Sequence, residues 1–238
     1  RTSRPEPCSS GSLSTMLLAC LLSCTLLADE PRVLVYTRNH VTNGKGYVHD
    51  NIAASVAMIR QLGSTNGFAV EASDDPKVFT PENLKKYRAL IFSNSNNEAF
   101  ENDEQRAAFQ KFIQGGGGFV GIHSASGSER QWPYYWQVLG GKFKRHPPLQ
   151  PFKIEVLDTK HPATAHLGTS WQWEDEFYYL DNLNPRMHVL LAGELTSLKD
   201  KDQPADVIYL EGHHVTSEHV GLMLWVAAAL LDHQTFEE

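Results

Sequence analysis

From Arg32 onward, short apolar runs alternate with stretches in which apolar residues recur at helical spacing. That alternation predicts strand–helix–strand units and a parallel sheet, an α/β fold. Arg32 to Tyr36 (RVLVY) predicts a first strand, followed by a polar loop from Thr37 to Tyr47 and a helix from Val48 to Leu62 that Gly63 closes. Phe68 to Glu71 predicts a second strand. Thr80-Pro81-Glu82 supplies a hydroxyl cap, a proline at the first helical position and an early carboxylate, so a short helix runs from there toward Tyr87. Ala89 to Phe92 predicts the third strand. Asn102 caps a helix to Gln114 whose Ala108, Phe109, Phe112 and Ile113 share one face, and Gly115 to Gly118 ends it. Phe119 to Ile122 predicts the fourth strand. The first and fourth strands are short and almost wholly apolar, as central strands covered on both faces must be, and are expected to lie adjacent or nearly so.

Beyond that point the periodicity weakens. Tyr134 to Leu139 suggests one or two helical turns; Phe152 to Leu157, Met187 to Ala192 and Val207 to Leu210 suggest strands; Ser217 to Leu231 suggests an apolar closing helix. No internal repeat, low-complexity tract or linker divides the chain. At 238 residues it is expected to form one domain over residues 29–238.

The N-terminal region 1–28 reads differently. Met16 to Ala28 (MLLACLLSCTLLA) is an uncharged apolar run that gives way at once to Asp29-Glu30-Pro31-Arg32. It is too short to span a bilayer, which needs roughly 20 apolar residues, but has the length of a signal-peptide core. Export to a periplasm or the outside is the expectation, with Met16 as the initiator. Leu21-Leu22-Ser23-Cys24 also resembles a bacterial lipobox, so cleavage after Ala28 and lipidation of Cys24 both stay open. Cys8, Cys20 and Cys24 are the chain's three cysteines. Cleavage after Ala28 would leave a cysteine-free domain without disulfides or thiolate chemistry. The net charge of -7, with its Lys and Arg residues scattered, gives no footprint for nucleic acid.

In doubly wound sheets ligands bind beyond the carboxyl ends of the strands. After the first strand come Arg38, Asn39 and His40 and then, at the next helix start, His49; after the fourth comes His123-Ser124-Ala125. Gly121-Ile122-His123-Ser124-Ala125 has the shape of a nucleophile elbow, in which small neighbours let a sharp turn thrust one side chain into the cleft. The tip is histidine, not serine, so the serine-hydrolase reading fails and Ser124 reads as a turn hydroxyl. With 11 histidines and acids nearby a histidine–carboxylate metal site is possible, but no H-E-x-x-H or H-x-H spacing supports one, so the expectation is no metal and no other cofactor.

YTRNH at Tyr36 to His40, HDN at His49 to Asn51, GGGFVGIHSAS at Gly116 to Ser126, FKRHP at Phe143 to Pro147, KHPAT at Lys160 to Thr164 and WEDEFYYL at Trp173 to Leu180 together resemble the trehalose-utilisation (ThuA-like) family over roughly Arg32 to Leu210. The resemblance implies a doubly wound, mainly parallel, flavodoxin-like sheet of the class I glutamine amidotransferase type. There the elbow carries a cysteine; His123 in its place excludes the amidotransferase reaction, which needs a thiolate.

The resemblance also implies carbohydrate metabolism, with oxidised (3-keto) glycosides as substrates. A ketone acidifies the neighbouring C–H, so a histidine or carboxylate can remove that proton while a second group protonates the departing glycosidic oxygen. His49, His123 and His146 are the candidate acids and bases. Asp175 and Glu176 are candidates to orient an imidazole or bind sugar hydroxyls, Arg38, Asn39, His40 and Ser124 to line the site, and Trp171 and Trp173 to stack on a pyranose face. The C-terminal region departs from the family pattern. Leu210-Glu211-Gly212-His213-His214 passes almost directly to the last helix, so either His213 or His214 replaces the family's glycine–histidine turn or the site is incomplete. A catalytic domain and a non-catalytic carbohydrate-binding domain therefore both remain open.

Overall fold

The computed structural model describes residues 30–41 and 46–201. The apolar run at Met16 to Ala28, the strand expected from Val207 and the helix expected from Ser217 lie outside them. The first half of the described chain builds a four-stranded parallel sheet from β1 (Arg32–Tyr36), β2 (Ala69–Ser73), β3 (Ala89–Ser93) and β4 (Gly118–Ile122). Their order is β2-β1-β3-β4, the opening order of a flavodoxin-like sheet. β1 and β4 are parallel and one strand apart, both pairing with β3, so the loops that follow them open on the same edge.

The crossovers are α1 (Ile52–Asn66), the single turn α2 (Pro81–Leu84) and α3 (Asp103–Gln114), with α4 (Pro133–Leu139) following β4. Thr80 Oγ1 caps α2 by accepting from Asn83 N, and Asn102 Oδ1 caps α3 by accepting from Gln105 N, as their sequences predict. α1 differs. It starts at Ile52, four residues later than expected, which leaves His49 on the loop. It also runs through Gly63 to a left-handed stop at Gly67. Gly63 is a packing residue: a Cβ there would lie 2.5 Å from the Phe68 carbonyl oxygen, so the glycine lets the helix settle onto the start of β2. Closer packing outweighs the cost of about 1 kcal/mol for glycine in a helix.

One face of the sheet rests on an aromatic core in which Leu34, Tyr36, Leu90, Phe92 and Phe119 meet Phe79, Phe100, Phe109 and Tyr135. The second half is antiparallel. β5 (Lys142–Arg145) pairs with β8 (Tyr179–Asp181), and β6 (Gln150–Val156) lies between β7 (Ser170–Asp175) and β9 (Leu191–Gly193). Phe152, Ile154 and Val156 alternate inward along β6, and Phe152 and Ile154 pack with Phe177, Tyr179, Leu195 and Leu198 in a smaller core. Among the described residues no helix is long and apolar enough to cross a membrane.

Candidate functional site

β4 ends at Ile122 and the chain turns at once into a 3-10 segment, His123–Gly127. His123 takes φ +52, a left-handed conformation that a residue with a Cβ holds only when its surroundings over-determine it. Here they do. Ser126 Oγ donates to the His123 carbonyl at 3.1 Å, Tyr135 OH donates to the Ala125 carbonyl at 2.9 Å, and residues 124–127 are buried. Gly121 leaves room for Leu139 beneath the elbow, since a Cβ would sit 2.3 Å from Leu139 Cδ1.

The elbow aims the His123 ring at residues from three other segments. His123 Nε2 lies 2.8 Å from His49 Nε2, on the loop before α1, and 3.1 Å from Tyr178 Oη. The Glu176 carboxylate, just past β7, reaches within 3.5 Å of the same nitrogen through Oε2, while its Oε1 stands 3.8 Å from His146 Nε2 after β5. His49 Nδ1 lies 3.2 Å from Ser124 Oγ, and the His146 ring stacks on Tyr178 at 5.5 Å between centroids. His49, Ser124, His146, Glu176 and Tyr178 line a cavity of about 590 Å³, within the range that holds a small ligand.

Burial sets the protonation here. It pushes His123 down to about 4, helped by the neighbouring His49, against the pull of Glu176 and Asp175. His49 is lowered as well, again chiefly by burial. The Tyr178 phenol is raised well above its ordinary value by burial first and by Glu176 second. Near neutral pH the centre therefore holds two neutral imidazoles and a phenol that keeps its proton.

Of the residues expected from sequence, His49, His146, Ser124 and Glu176 line this cavity, and His123 stands behind the wall, against His49, Tyr178 and Glu176. Asp175 stands beside it, its carboxylate accepting from Glu176 N and Trp173 Nε1. Arg38, Asn39, His40 and Trp173 do not line it. Arg38 donates to the Glu98 carbonyl and to Glu101, Asn39 Nδ2 donates to the Thr37 and Asn94 carbonyls, and the His40 carbonyl accepts from Asn97 Nδ2. These three tie the end of β1 to the loop after β3. Trp173 is an exposed residue of β7, and Trp171 packs against the second core. His213 and His214 lie outside the described residues. Although no metal-ligand spacing runs along the chain, His49, His123 and Glu176 bring one potential ligand atom each to within 4.8 Å of the others.

Sequence reasoning missed Tyr47, Asn96, Asn97, Arg130, Phe143 and Tyr178, which complete the wall. Asn96 Oδ1 accepts from Arg130 Nη2 at 3.2 Å, and Gly127 makes room for both, since its Cβ would fall 2.7 Å from Asn96 Oδ1. The signal for the asparagines was present: Asn94-Ser95-Asn96-Asn97 follows β3 directly. Asn94 and Asn97 both adopt positive φ, which asparagine tolerates better than most residues.

Comparison with known proteins fits this architecture. A ThuA-like protein from Bacteroides uniformis is 27% identical, with 70% of this chain and 69% of that one covered at a TM-score of 0.57. A ThuA-like protein from Parabacteroides merdae, 16% identical, shares the fold over 69% of this chain and 68% of that one at a TM-score of 0.53. No curated protein matches the chain. The family model described as ThuA, trehalose utilisation, matches residues 32–217, and with most of the chain covered, the protein belongs to the ThuA family.

Proposed function

We propose that the cavity takes an oxidised, 3-keto glycoside and cleaves it by proton transfer. The observation that carries this reading is the convergence of two imidazoles, a carboxylate and a phenol from both halves of the molecule on one cavity of sugar size, with a third imidazole, His123, directly behind them. Family membership supports a saccharide ligand.

In the proposed reaction the proton on the carbon between the ketone and the anomeric carbon is removed. Its electron pair forms the new carbon–carbon double bond, and the glycosidic C–O bond breaks, its oxygen taking a proton from an acid. Charge builds on the keto oxygen, which favours donors held ready for it in a partly dry site. The protonated Tyr178, on the cavity wall beside the His49–His123 pair, suits that role. His146, in reach of Glu176 and more open to the cavity, suits the proton transfers. Water adding to the unsaturated product would give net hydrolysis; its release unchanged would make the protein a lyase.

The sequence of Met16 to Ala28 supports export of the domain. Incubation with a 3-keto-glucoside tests the reaction: saturable release of the aglycone, lost in His146→Ala with the fold intact, is expected. Saturable binding without product would instead make this a carbohydrate-binding domain.

A further inference from the structure

We propose that His49, His123 and Glu176 form a three-ligand site for a divalent transition metal ion, open toward the cavity. The three ligand atoms lie within 4.8 Å of one another and come from segments that the fold holds independently: the loop before α1, the elbow after β4 and the turn after β7. Around a tetrahedral ion with bonds of about 2.0–2.1 Å to imidazole nitrogen, neighbouring ligand atoms stand about 3.3 Å apart. Glu176 Oε2 is already 3.5 Å from His123 Nε2. The two Nε2 atoms, at 2.8 Å, need to part by about half an ångström.

The surroundings are those of a ligand set. Two imidazole nitrogens aimed at each other compete for a single proton between them, an arrangement that an ion replaces with two favourable bonds. His49 turns Nε2 inward while its other ring nitrogen meets Ser124 Oγ at 3.2 Å, the outer hydrogen bond that fixes the tautomer of a ligating histidine. The strained elbow is explained too, since a left-handed His123 is what points its ring at His49 and Glu176. Two nitrogens and one carboxylate oxygen select ions of the zinc, iron(II) or manganese class over calcium or magnesium. The remaining coordination positions face the cavity, where Tyr178 Oη is in reach.

Metal binding rests on this geometry and holds whatever the substrate. The ion's role, polarising the keto oxygen of the sugar, rests on the reaction proposed above.

Full-length protein stripped with a chelator and titrated with Zn²⁺ by calorimetry, and with Co²⁺ by visible absorption, tests the site. One equivalent of each is expected, with ligand-field bands for Co²⁺. His49→Ala and His123→Ala should weaken Zn²⁺ binding by at least about 100-fold, and Ser124→Ala by about 10-fold. Glu176→Gln, nearly isosteric, should weaken it without unfolding the chain, as circular dichroism would show. His188→Ala, whose ring pairs with Asp158 elsewhere, should leave it unchanged. A folded wild-type protein that takes up none of Zn²⁺, Co²⁺ or Mn²⁺ saturably would overturn the proposal, as would binding that survives all three ligand substitutions. Failure to turn over a keto-glycoside while one equivalent of Zn²⁺ is bound would overturn the reaction and leave the metal site standing.

Discussion

The parallel half, Arg32 to Leu139, and the antiparallel half, Lys142 to Ser197, are built to different standards of solidity. In the first, Phe92 alone meets the rings of Tyr36, Phe79, Phe100, Phe109, Phe119 and Tyr135. In the second, a smaller cluster around Phe152 and Phe177 sits between short strands. The site draws on both: the first half carries His49 and His123, one of them on a strained backbone, and the second carries His146, Glu176 and Tyr178. A strained elbow needs a stiff foundation, whereas the partners brought to it need only be held in register.

The largest effects should fall on the first core. Phe92→Ala is expected to cost about 3–5 kcal/mol in denaturant unfolding, and Phe152→Ala, in the smaller cluster, about 3 kcal/mol. Hydrogen exchange sharpens the contrast: β1 and β3 amides should exchange only by global unfolding, and β6 and β7 amides by smaller openings that leave the first half folded. Equal protection in both halves would show a single cooperative unit and break the comparison.

Next in size is the polar buttress beside the elbow. Glu129 is buried, and its carboxylate accepts from Arg106 Nε at 2.8 Å and from Phe100 N at 3.0 Å. Glu129→Gln weakens a charge-assisted pair and is expected to cost about 1.5–3 kcal/mol, with the loss seen in the melting of the first half. A change near zero would mean that aromatic packing alone holds this corner.

The parallel half was nearly all legible in the sequence because β1, β3 and β4 are largely apolar runs and each helix carries its own cap or stop. Gly63 was misread because a glycine that ends a helix and one that lets a helix touch a strand look alike until the strand is placed. The antiparallel half was legible only in part: Phe152, Ile154 and Val156 announce β6 by alternation, but Met187 to Leu190 stay outside β9. Of the site, His123 could be read from its own strand and turn. Its meeting with Glu176 and Tyr178 could not, because those partners arrive from segments more than fifty residues away, and no local spacing encodes that.

Acid pH probes the seam between the halves. His123 sits at about 4 in the folded, metal-free chain against 6.5 when exposed. Between those values the unfolded chain binds a proton that the folded chain refuses. Stability is therefore full above pH 6.5 and falls as the pH drops toward 4, with a slope of at most about 1.4 kcal/mol per pH unit. His49, lowered in the same direction, adds to the trend. Urea unfolding of chelator-treated protein across this window should show the fall, and His123→Gln should flatten it. An unchanged slope in His123→Gln would mean that the second half does not bury the elbow as described.

The smallest expected effect tests where the site ends. Trp173 is the aromatic residue that sequence reasoning would choose to stack on a sugar, yet it is 42% exposed on β7, its indole N–H donating to Asp175 at 3.2 Å. Tyr47, Phe143 and Tyr178 supply the aromatic surface of the cavity wall instead. Trp173→Ala removes a side chain that is neither in the small core nor at the centre, so its stability cost should be about 1 kcal/mol or less. The affinity for a glycoside and the rate of its turnover should match the wild type, while Tyr178→Phe, which removes the hydroxyl beside His123, should lower turnover and leave folding intact. Calorimetric binding and product release measured on both variants separate the outcomes. If Trp173→Ala weakened binding as strongly as Tyr178→Phe slowed turnover, the saccharide would extend out of the cavity along β7, and the antiparallel half would be a binding surface in its own right.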